Sequence, residues 1–257
     1  MTLRFLSIVV LATCLTAFAR QPQVAGDPKI DPLALAVLRK TTDTIRDAKN
    51  YSFTARVARE RLGTNGQIIT RFATHKVTVS RPDKVRIETH TGQNQDVQVL
   101  FNGGRTFLFS PGPNLYAATT APATIDAALA GLEQKGIIMP VRNLLESDPY
   151  KSLEADVKSA YVIGRTDAFG KTLHQLAFTE PGAEWQLWVE GGDRPVPVRI
   201  EIIDKSMPEH PRVTVDLSDW NFNPDVSQAV FSFTPPQGAR QIEFPRAMKA
   251  LKKGRKS

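Results

Sequence analysis

The stretch from Glu184 to Ile203 constrains the fold more than any other part of the sequence. Its apolar residues recur at every second position on both sides of a Gly191-Gly192-Asp193 turn: Trp185, Leu187 and Val189 before it, and Val196, Val198, Ile200 and Ile202 after it. Period-two apolarity around a glycine-rich turn predicts a β-hairpin with one apolar face. Such a face has to be covered, so the rest of the chain is expected to supply a cover.

The same two-residue period fills most of the remaining sequence. Turn motifs such as Gly63-Thr64-Asn65-Gly66 and Asn102-Gly103-Gly104 separate its short apolar runs. The predicted strands cover 51–57, 69–81, 84–91, 97–102, 105–110, 115–118, 160–165, 171–179 and 213–217. Because most neighbouring runs have no helical pattern between them, we predict an antiparallel meander rather than βαβ units.

Residues 124–153, here called the lid segment, show helical spacing in the middle of the meander. Thr124 is a candidate N-cap, and Gly136 is expected to end the first helix. A second short helix is predicted from Met139-Pro140 and is expected to break before Asp148-Pro149. We predict that the lid segment lies over the open face of the sheet.

The chain has 257 residues, enough for one large domain or two small ones. Residues 20–30 are polar and predict a flexible leader, after which Asp31-Pro32 provides an N-cap and a first-turn proline for a helix over about 32–48. We predict one domain over 31–245 and a disordered tail over 246–257. The tail carries six basic residues and no acid, so the net charge of +7 belongs largely to it.

The first 19 residues have the features of a secretory signal peptide. Arg4 precedes an apolar run from Phe5 to Leu15, and Ala17-Phe18-Ala19 is a small-x-small cleavage motif. The run is shorter than the ~20 apolar residues of a membrane-spanning helix. We therefore predict a periplasmic protein that is cleaved after Ala19. The alternative is a lipoprotein anchor at Cys14, which the threonine immediately before that cysteine disfavours.

The sequence contains no motif that carries reaction chemistry. Its four histidines lack metal-ligand spacing, and it has neither a nucleophile elbow nor a phosphate loop. Two acidic pairs, Glu146 with Asp148 and Asp216 with Asp219, are the weak alternative for a hydrolase. Basic residues do not interleave with aromatic ones, which disfavours nucleic-acid binding. We therefore predict a non-enzymatic protein that has no cofactor and does not bind nucleic acid.

The order of several short motifs resembles a known superfamily. These motifs are Tyr51-Ser52-Phe53 after the leading helix, Phe101-Asn102-Gly103-Gly104, Leu115-Tyr116, Ala123-Thr124-Ile125-Asp126, Gly136, Pro140, Trp185-Gln186-Leu187-Trp188-Val189, Pro197, Arg199 and Trp220. The chain resembles the LolA/LolB-like superfamily of periplasmic lipoprotein carriers, in a branch of predicted exported bacterial proteins. The resemblance extends from Asp31 to Phe244.

This resemblance implies an α+β fold, in which a curved antiparallel sheet forms an incomplete β-barrel and helices cover its open, concave side. It also implies that the protein shields an apolar ligand, such as a lipid or a lipoprotein acyl chain, from water. The candidate cavity residues are Phe101, Phe107, Phe109, Leu129, Leu132, Leu144, Trp185 and Trp188. For the aromatic ones, core packing is the first interpretation and cavity lining the second, since burial of each ring gives roughly 4–6 kcal/mol at most.

Two functions follow from these predictions. The first is a carrier or binding protein for a lipid or acylated ligand, with envelope lipoproteins or a membrane surface, contacted through the basic tail, as further partners. The alternative is an envelope sensor or interaction domain whose own side chains fill the core. The space between the sheet and the lid segment distinguishes them, because a carrier needs room there and an interaction domain does not.

Overall fold

A computed structural model of the chain describes residues 29–92, 95–134 and 141–244. Its α-helices are α1 (Pro32–Arg46), α2 (Ile125–Gln134) and α3 (Pro149–Glu154). Its strands are β1 (Asn50–Leu62), β2 (Ile68–Ser80), β3 (Lys84–His90), β4 (Val97–Asn102), β5 (Arg105–Ser110), β6 (Leu115–Thr120), β7 (Ser159–Ala168), β8 (Lys171–Glu180), β9 (Ala183–Glu190), β10 (Val196–Asp204), β11 (Arg212–Asn221) and β12 (Arg240–Gln241).

All strands of the described residues belong to one sheet, in the order β12-β6-β5-β4-β3-β2-β1-β11-β10-β9-β8-β7. Every neighbouring pair is antiparallel except β12 and β6, which are parallel. The sheet is curved and does not close into a barrel. The predicted α+β fold and its open antiparallel sheet are therefore confirmed.

The helices pack against one face of the sheet, here called the inner face. A cross-strand row of Val85, Phe101 and Thr106 belongs to this face, and the adjacent row of Arg86, Leu100 and Phe107 belongs to the opposite, outer face. Two clusters of buried apolar residues fill the space between the helices and the inner face. The apolar face that the alternation predicted is thus covered by helices.

The two clusters divide the inner face between its halves. Tyr51, Val77 and Phe101 from the first strands pack with Ile125 and Leu129 of α2. The second cluster joins α1 and α3 to the strands β7, β8 and β9; its buried members are Ala34, Leu38, Tyr150, Ala160, Leu176, Phe178, Trp185, Leu187 and Val189. Each half therefore has its own helical cover.

A β-bulge in β11 directs Trp220 into the first cluster. The register between β1 and β11 shifts between Ser52 and Thr54, and Asp219 takes a left-handed backbone conformation with φ of 57°. The extra residue reverses the alternation, as bulges do. Trp220 consequently stacks on Phe53 with ring centroids 4.7 Å apart, and its Nε1 donates to the Pro197 carbonyl at 3.0 Å.

The chain after β11 crosses the outer face. A 3₁₀-helix at Gln228–Phe231 lies on β3 and β4, where Arg86 donates to the Val230 carbonyl at 3.2 Å. Farther on, Phe233 packs on the rings of β5 and β6, and β12 extends the sheet beside β6. The edge of β6 is thereby covered at Leu115 and Tyr116 by the chain's own C-terminal part.

The predicted helices agree with the structure at α1 and α2, and differ after them. The leading helix ends at Arg46, close to the predicted 48. Met139-Pro140 and Gly136 lie outside the described residues, and the chain that follows forms a 3₁₀-helix at Arg142–Leu144. The predicted break before Asp148-Pro149 agrees with the structure, but α3, which begins there with Asp148 as its N-cap, was not predicted.

The predictions for the two termini fall outside the part of the chain that the structure describes. They concern the signal peptide at 1–19, Cys14, nearly all of the leader at 20–30, and the basic tail at 246–257.

Candidate functional site

The strongest candidate site is the interface between α2 and the inner face of β3, β4 and β5. Its residues are apolar except for one threonine: Val85, Val99, Phe101 and Thr106 from the strands, and Ile125, Ala128, Leu129 and Leu132 from α2. They enclose a cavity of about 20 Å³. A cavity of that size holds about one water molecule, and an apolar one stays dry. In this conformation the site is therefore closed and filled by its own side chains.

Helix α2 rests on the sheet through these apolar contacts, and polar contacts hold its two ends. The backbone N–H of Ile125 donates to the Pro82 carbonyl at 3.0 Å. The Asp126 carboxylate accepts from the backbone N–H of Ser147 at 2.9 Å and from its hydroxyl at 2.5 Å. Toward the other end, Glu133 pairs with Arg142. Hydrogen bonds thus fix the start of α2, whereas non-directional contacts hold its apolar face.

A buried tyrosine and an arginine anchor the chain after α2 to the sheet. The Tyr51 hydroxyl donates to the Leu144 carbonyl at 2.6 Å. Arg81 donates to the Leu145 carbonyl at 3.1 Å, to the Glu146 carbonyl at 2.7 Å and to the Tyr51 hydroxyl at 3.2 Å. Burial raises the pKa of Tyr51 well above its ordinary value, although the Arg81 charge opposes the rise. The tyrosine is therefore a neutral donor, and the segment it holds is a fixed support beside α2.

Four of the eight predicted cavity residues meet at this site. Phe101, Leu129 and Leu132 line the cavity, and Leu144 belongs to the buried cluster that continues from it. All four are less than a tenth exposed. These four residues thus lie between the sheet and the lid segment, which was predicted to cover the open face of the sheet.

Phe107 and Phe109 lie on the outer face instead. They pair with Leu100 and Gln98 of β4, respectively one and three rows away from the inward-facing Phe101. Their rings pack on Phe233, with centroids 5.1 and 5.9 Å apart. The sheet therefore separates these two phenylalanines from α2.

The two tryptophans of the central hairpin lie on opposite faces of the sheet. Trp185 is buried beneath α1 and α3 and stacks on Phe178 with centroids 3.9 Å apart. Trp188 is three residues farther along β9, so it faces the other side of the sheet, beside Arg199 of β10. Neither residue reaches the cavity under α2.

A second concave surface, which the sequence analysis did not single out, lies on the inner face of the hairpin β1–β2. It has a volume of about 610 Å³ and includes Arg59, Arg61, Arg71 and His75. The sequence could have predicted two of these arginines on one face, since residues 57, 59 and 61 alternate along a strand. What the sequence did not reveal is that β2 adds a third arginine to the same face, because that depends on the register of the hairpin.

The described residues lack two further features that bear on function. No helix among them is long and apolar enough to cross a bilayer. Nor do they contain a group of three or more histidine, cysteine or acidic residues arranged to hold a metal ion.

Solved structures of similar fold are known, at low sequence identity. An uncharacterised conserved protein from Thermus thermophilus has a TM-score of 0.50 and 10% identity, and the match covers 82% of this chain and 99% of that one. The lipoprotein LppX from Mycobacterium tuberculosis has a TM-score of 0.47 and 13% identity, with 77% and 100% covered. A LolA superfamily protein from Nitrosomonas europaea has a TM-score of 0.40 and 12% identity, with 78% and 97% covered.

No curated protein matches the sequence. A family model does, over residues 34–245, and its description is "Predicted periplasmic protein (DUF2092)". This match confirms the predicted periplasmic location and the predicted branch of exported bacterial proteins. Because the model spans most of the sequence, the chain belongs to the DUF2092 family of predicted periplasmic proteins.

Proposed function

We propose that the protein is a non-enzymatic periplasmic carrier or binding protein for a lipid or an acylated ligand, held between α2 and the inner face of the sheet. The observation that carries this proposal is the apolar interface of α2, whose side chains face an equally apolar patch on β3, β4 and β5. An acyl chain is apolar like both surfaces. It can therefore take the place of α2 against the sheet, or of the sheet against α2, at little cost in free energy.

Ligand entry requires α2 to move away from the sheet, because the cavity of about 20 Å³ cannot hold an acyl chain. The contacts that resist this motion are mainly apolar, because the ion pair at the far end of the helix, between Glu133 and Arg142, has an exposed carboxylate and contributes little. Exposing a leucine-sized side chain costs about 1.5–3 kcal/mol, and a bound acyl chain would restore that burial. The hydrogen bonds at Ile125 and Asp126 keep the start of the helix in place, so they are the natural pivot.

The residues that we assign to the opened site are Phe101, Leu129, Leu132 and Leu144. Of the other predicted lining residues, Trp185 packs under α1, and Phe107, Phe109 and Trp188 face the outer side. The proposal therefore restricts the ligand to the half of the inner face that α2 covers.

Native mass spectrometry of the full chain, purified from its own periplasm, tests the proposal. We expect a copurifying lipid mass, and saturable binding of a fluorescent fatty-acid probe after delipidation. Leu132→Glu places a charge on the covered face of α2 and should abolish probe binding, whereas Gln134→Glu changes an exposed residue of the same helix and should not. Circular dichroism checks that both variants fold.

The carrier proposal fails if neither a copurifying lipid nor probe binding is found. It also fails if Leu132→Glu and Gln134→Glu bind the probe equally well. Either result would leave the interface of α2 as ordinary core.

The alternative, an envelope sensor or interaction domain, has its own supporting observation. The inner face is tightly packed where the helices cover it, while the outer face of the hairpin β1–β2 exposes Leu62, Ile68 and Phe72, the last by 71%. Exposed apolar groups of this kind mark contact surfaces. A photoreactive amino acid at position 72 should then give one discrete adduct in living cells, and the same group at the exposed Phe169 should give none.

We also propose that the basic tail at 246–257 contacts anionic lipid. Each Lys or Arg near such a surface contributes about 1 kcal/mol, which salt reduces. Chains with and without the tail should therefore distribute differently on isolated membranes at low salt and alike at high salt. Equal distribution at low salt would refute the contact.

A further inference from the structure

The inner face of the hairpin β1–β2 gathers three arginines without acids among them. Arg59 of β1 lies directly opposite Arg71 of β2, and Arg61 lies one row farther, opposite Ile69. Like charges placed opposite each other in an antiparallel pair destabilise it. Burial lowers the pKa of Arg59, and the nearby Arg61 charge lowers it further.

These guanidinium groups have no acidic partner in the described part of the chain. None of the three forms an ion pair there, although eleven such pairs occur elsewhere in it. The residues lining this surface include no aspartate or glutamate. The neighbouring Glu60 faces the other side of the strand and accepts from the backbone N–H of Arg212 at 2.8 Å. The positive charge is therefore directed into the concave surface.

Two buried polar atoms on the same surface lack a hydrogen-bond partner within the described residues. His75 is 8% exposed, its Nδ1 lies 2.9 Å from the Thr89 hydroxyl oxygen, and its Nε2 has no hydrogen-bond partner among the described residues. The hydroxyl of Thr91 is in the same situation. Buried polar groups rarely lack a hydrogen-bond partner, so we expect each of these two atoms to bind a ligand or a water molecule. Both atoms lie at the arginine end of the inner face.

The walls of the surface are apolar, and they continue toward the cavity under α2. Val57, Ile69 and Ala73 stand beside the arginines. Along β2, Val77 belongs to the cluster beneath α2 and Arg71 lies six residues away, a distance of roughly 20 Å. The inner face is thus apolar at the α2 end and cationic at the hairpin end.

We propose that the surface formed by Arg59, Arg61, Arg71 and His75 binds the anionic head group, a phosphate or a carboxylate, of an amphiphile whose apolar chain lies under α2. This inference rests on the proposed function and narrows its ligand class. A planar guanidinium group matches the oxygen spacing of either anion, and two of them on facing strands can hold one head group from both sides.

Binding of a fluorescent fatty acid and of its methyl ester by the full chain tests this assignment. The two probes differ only in the charge of the head group. We expect the acid to bind at least about tenfold more tightly, since a charge-assisted hydrogen bond is worth that factor or more. Raising the salt concentration should weaken acid binding and leave ester binding unchanged.

The double variant Arg59→Gln, Arg71→Gln should remove the preference by weakening acid binding to the level of the ester. Arg56→Gln is the matched control, because Arg56 lies on the outer face of the same strand and donates to the Ser218 hydroxyl at 3.1 Å. It removes a charge of the same kind and should keep the preference. Removing two facing like charges should not impair folding, which thermal unfolding checks.

The outcomes separate this inference from the proposal on which it rests. Equal binding of acid and ester, or a preference that survives in the double variant, overturns the head-group assignment and keeps the carrier function. Failure of both probes to bind overturns both. Inorganic phosphate that binds as tightly as the fatty acid would show a free-anion site and would also overturn the assignment.

Discussion

Tyr51 links the sheet to the support beside α2 through its hydroxyl. The residue is fully buried and its hydroxyl lies 2.6 Å from the Leu144 carbonyl and 3.2 Å from Arg81. Tyr51→Phe leaves that carbonyl without its donor, so we expect unfolding to become easier by about 2 kcal/mol. Urea denaturation of the purified protein measures the change.

Tyr116→Phe is the control for this variant. Its hydroxyl also donates, to Gln241 at 3.2 Å, but the bond is exposed to water and its loss should cost less than about 0.5 kcal/mol. A Tyr51→Phe protein as stable as the control would contradict the anchoring role.

We expect His75 to make the stability of the protein depend on pH. Burial, with the Arg59 charge, lowers the pKa of His75 from its ordinary value near 6.5. The unfolded chain therefore binds a proton before the folded one does. The free energy of unfolding is therefore highest, as far as His75 is concerned, above about pH 6.5. It falls as the pH drops below that value, by up to about 1.4 kcal/mol per pH unit.

His75→Gln should flatten this dependence when urea unfolding is compared at pH 7.5 and 5.5. His210→Gln, at an exposed histidine, should retain the slope of the unmodified protein. If both variants keep that slope, another group accounts for it.

At the scale of elements, helix α1 depends on its first residues. The Asp31 side chain accepts from the backbone N–H of Leu33 at 2.9 Å, and Pro32 occupies the first turn. Asp31→Ala removes the cap and should lower the free energy of unfolding by about 1 kcal/mol. Asp47→Ala, at the other end of the helix, should change it by less than about 0.5 kcal/mol because an acid is not favoured there. Thermal unfolding of the two variants checks the difference, and equal effects would contradict it.

The same kind of start signal shows how far local sequence determined the elements. Asp31-Pro32 and Asp148-Pro149 are both N-cap and proline pairs, and both begin helices. The first was recognised because a long apolar stripe follows it. The second precedes only six helical residues, too few for a period of 3.6 to be visible.

Which face a strand residue occupies was predictable within a strand but not across a turn. The odd spacing of Trp185 and Trp188 alone places them on opposite faces. Phe101 and Phe107 are different, because the turn between β4 and β5 sets their register, and a shift by one residue would reverse the result. Bulges add to the problem, as at Asp219, where one extra residue moves Trp220 to the inner face.

At the scale of the whole molecule, the chain covers the sheet from both sides. Helices lie on the inner face, and the segment from Asn223 to Phe244 crosses the outer face over β3 to β6. Alternation in the sequence revealed an apolar face and therefore predicted one cover. The cover on the outer face escaped prediction, because residues 222–239 form little regular structure and show no period.

Substitution of Phe233 tests whether the helices on the inner face and the C-terminal segment on the outer face have separate roles. Its ring lies 5.1 Å from that of Phe107, 5.9 Å from that of Phe109 and 5.6 Å from that of Tyr116. Phe233→Ala should lower the free energy of unfolding by about 2–3 kcal/mol, less than for a fully buried ring because Phe233 is half-buried. Phe72→Ala, at a side chain that is 71% exposed, should change it by less than about 0.5 kcal/mol.

Fatty-acid binding should be the same in Phe233→Ala as in the unmodified protein, since the sheet lies between Phe233 and α2. Fluorescence titration and urea unfolding of one preparation measure both quantities. Weakened binding without a matching loss of stability would place the ligand beside Phe107 and Phe109, on the outer face. In that case the carrier function would survive, but α2 would no longer be the element that opens to admit the ligand.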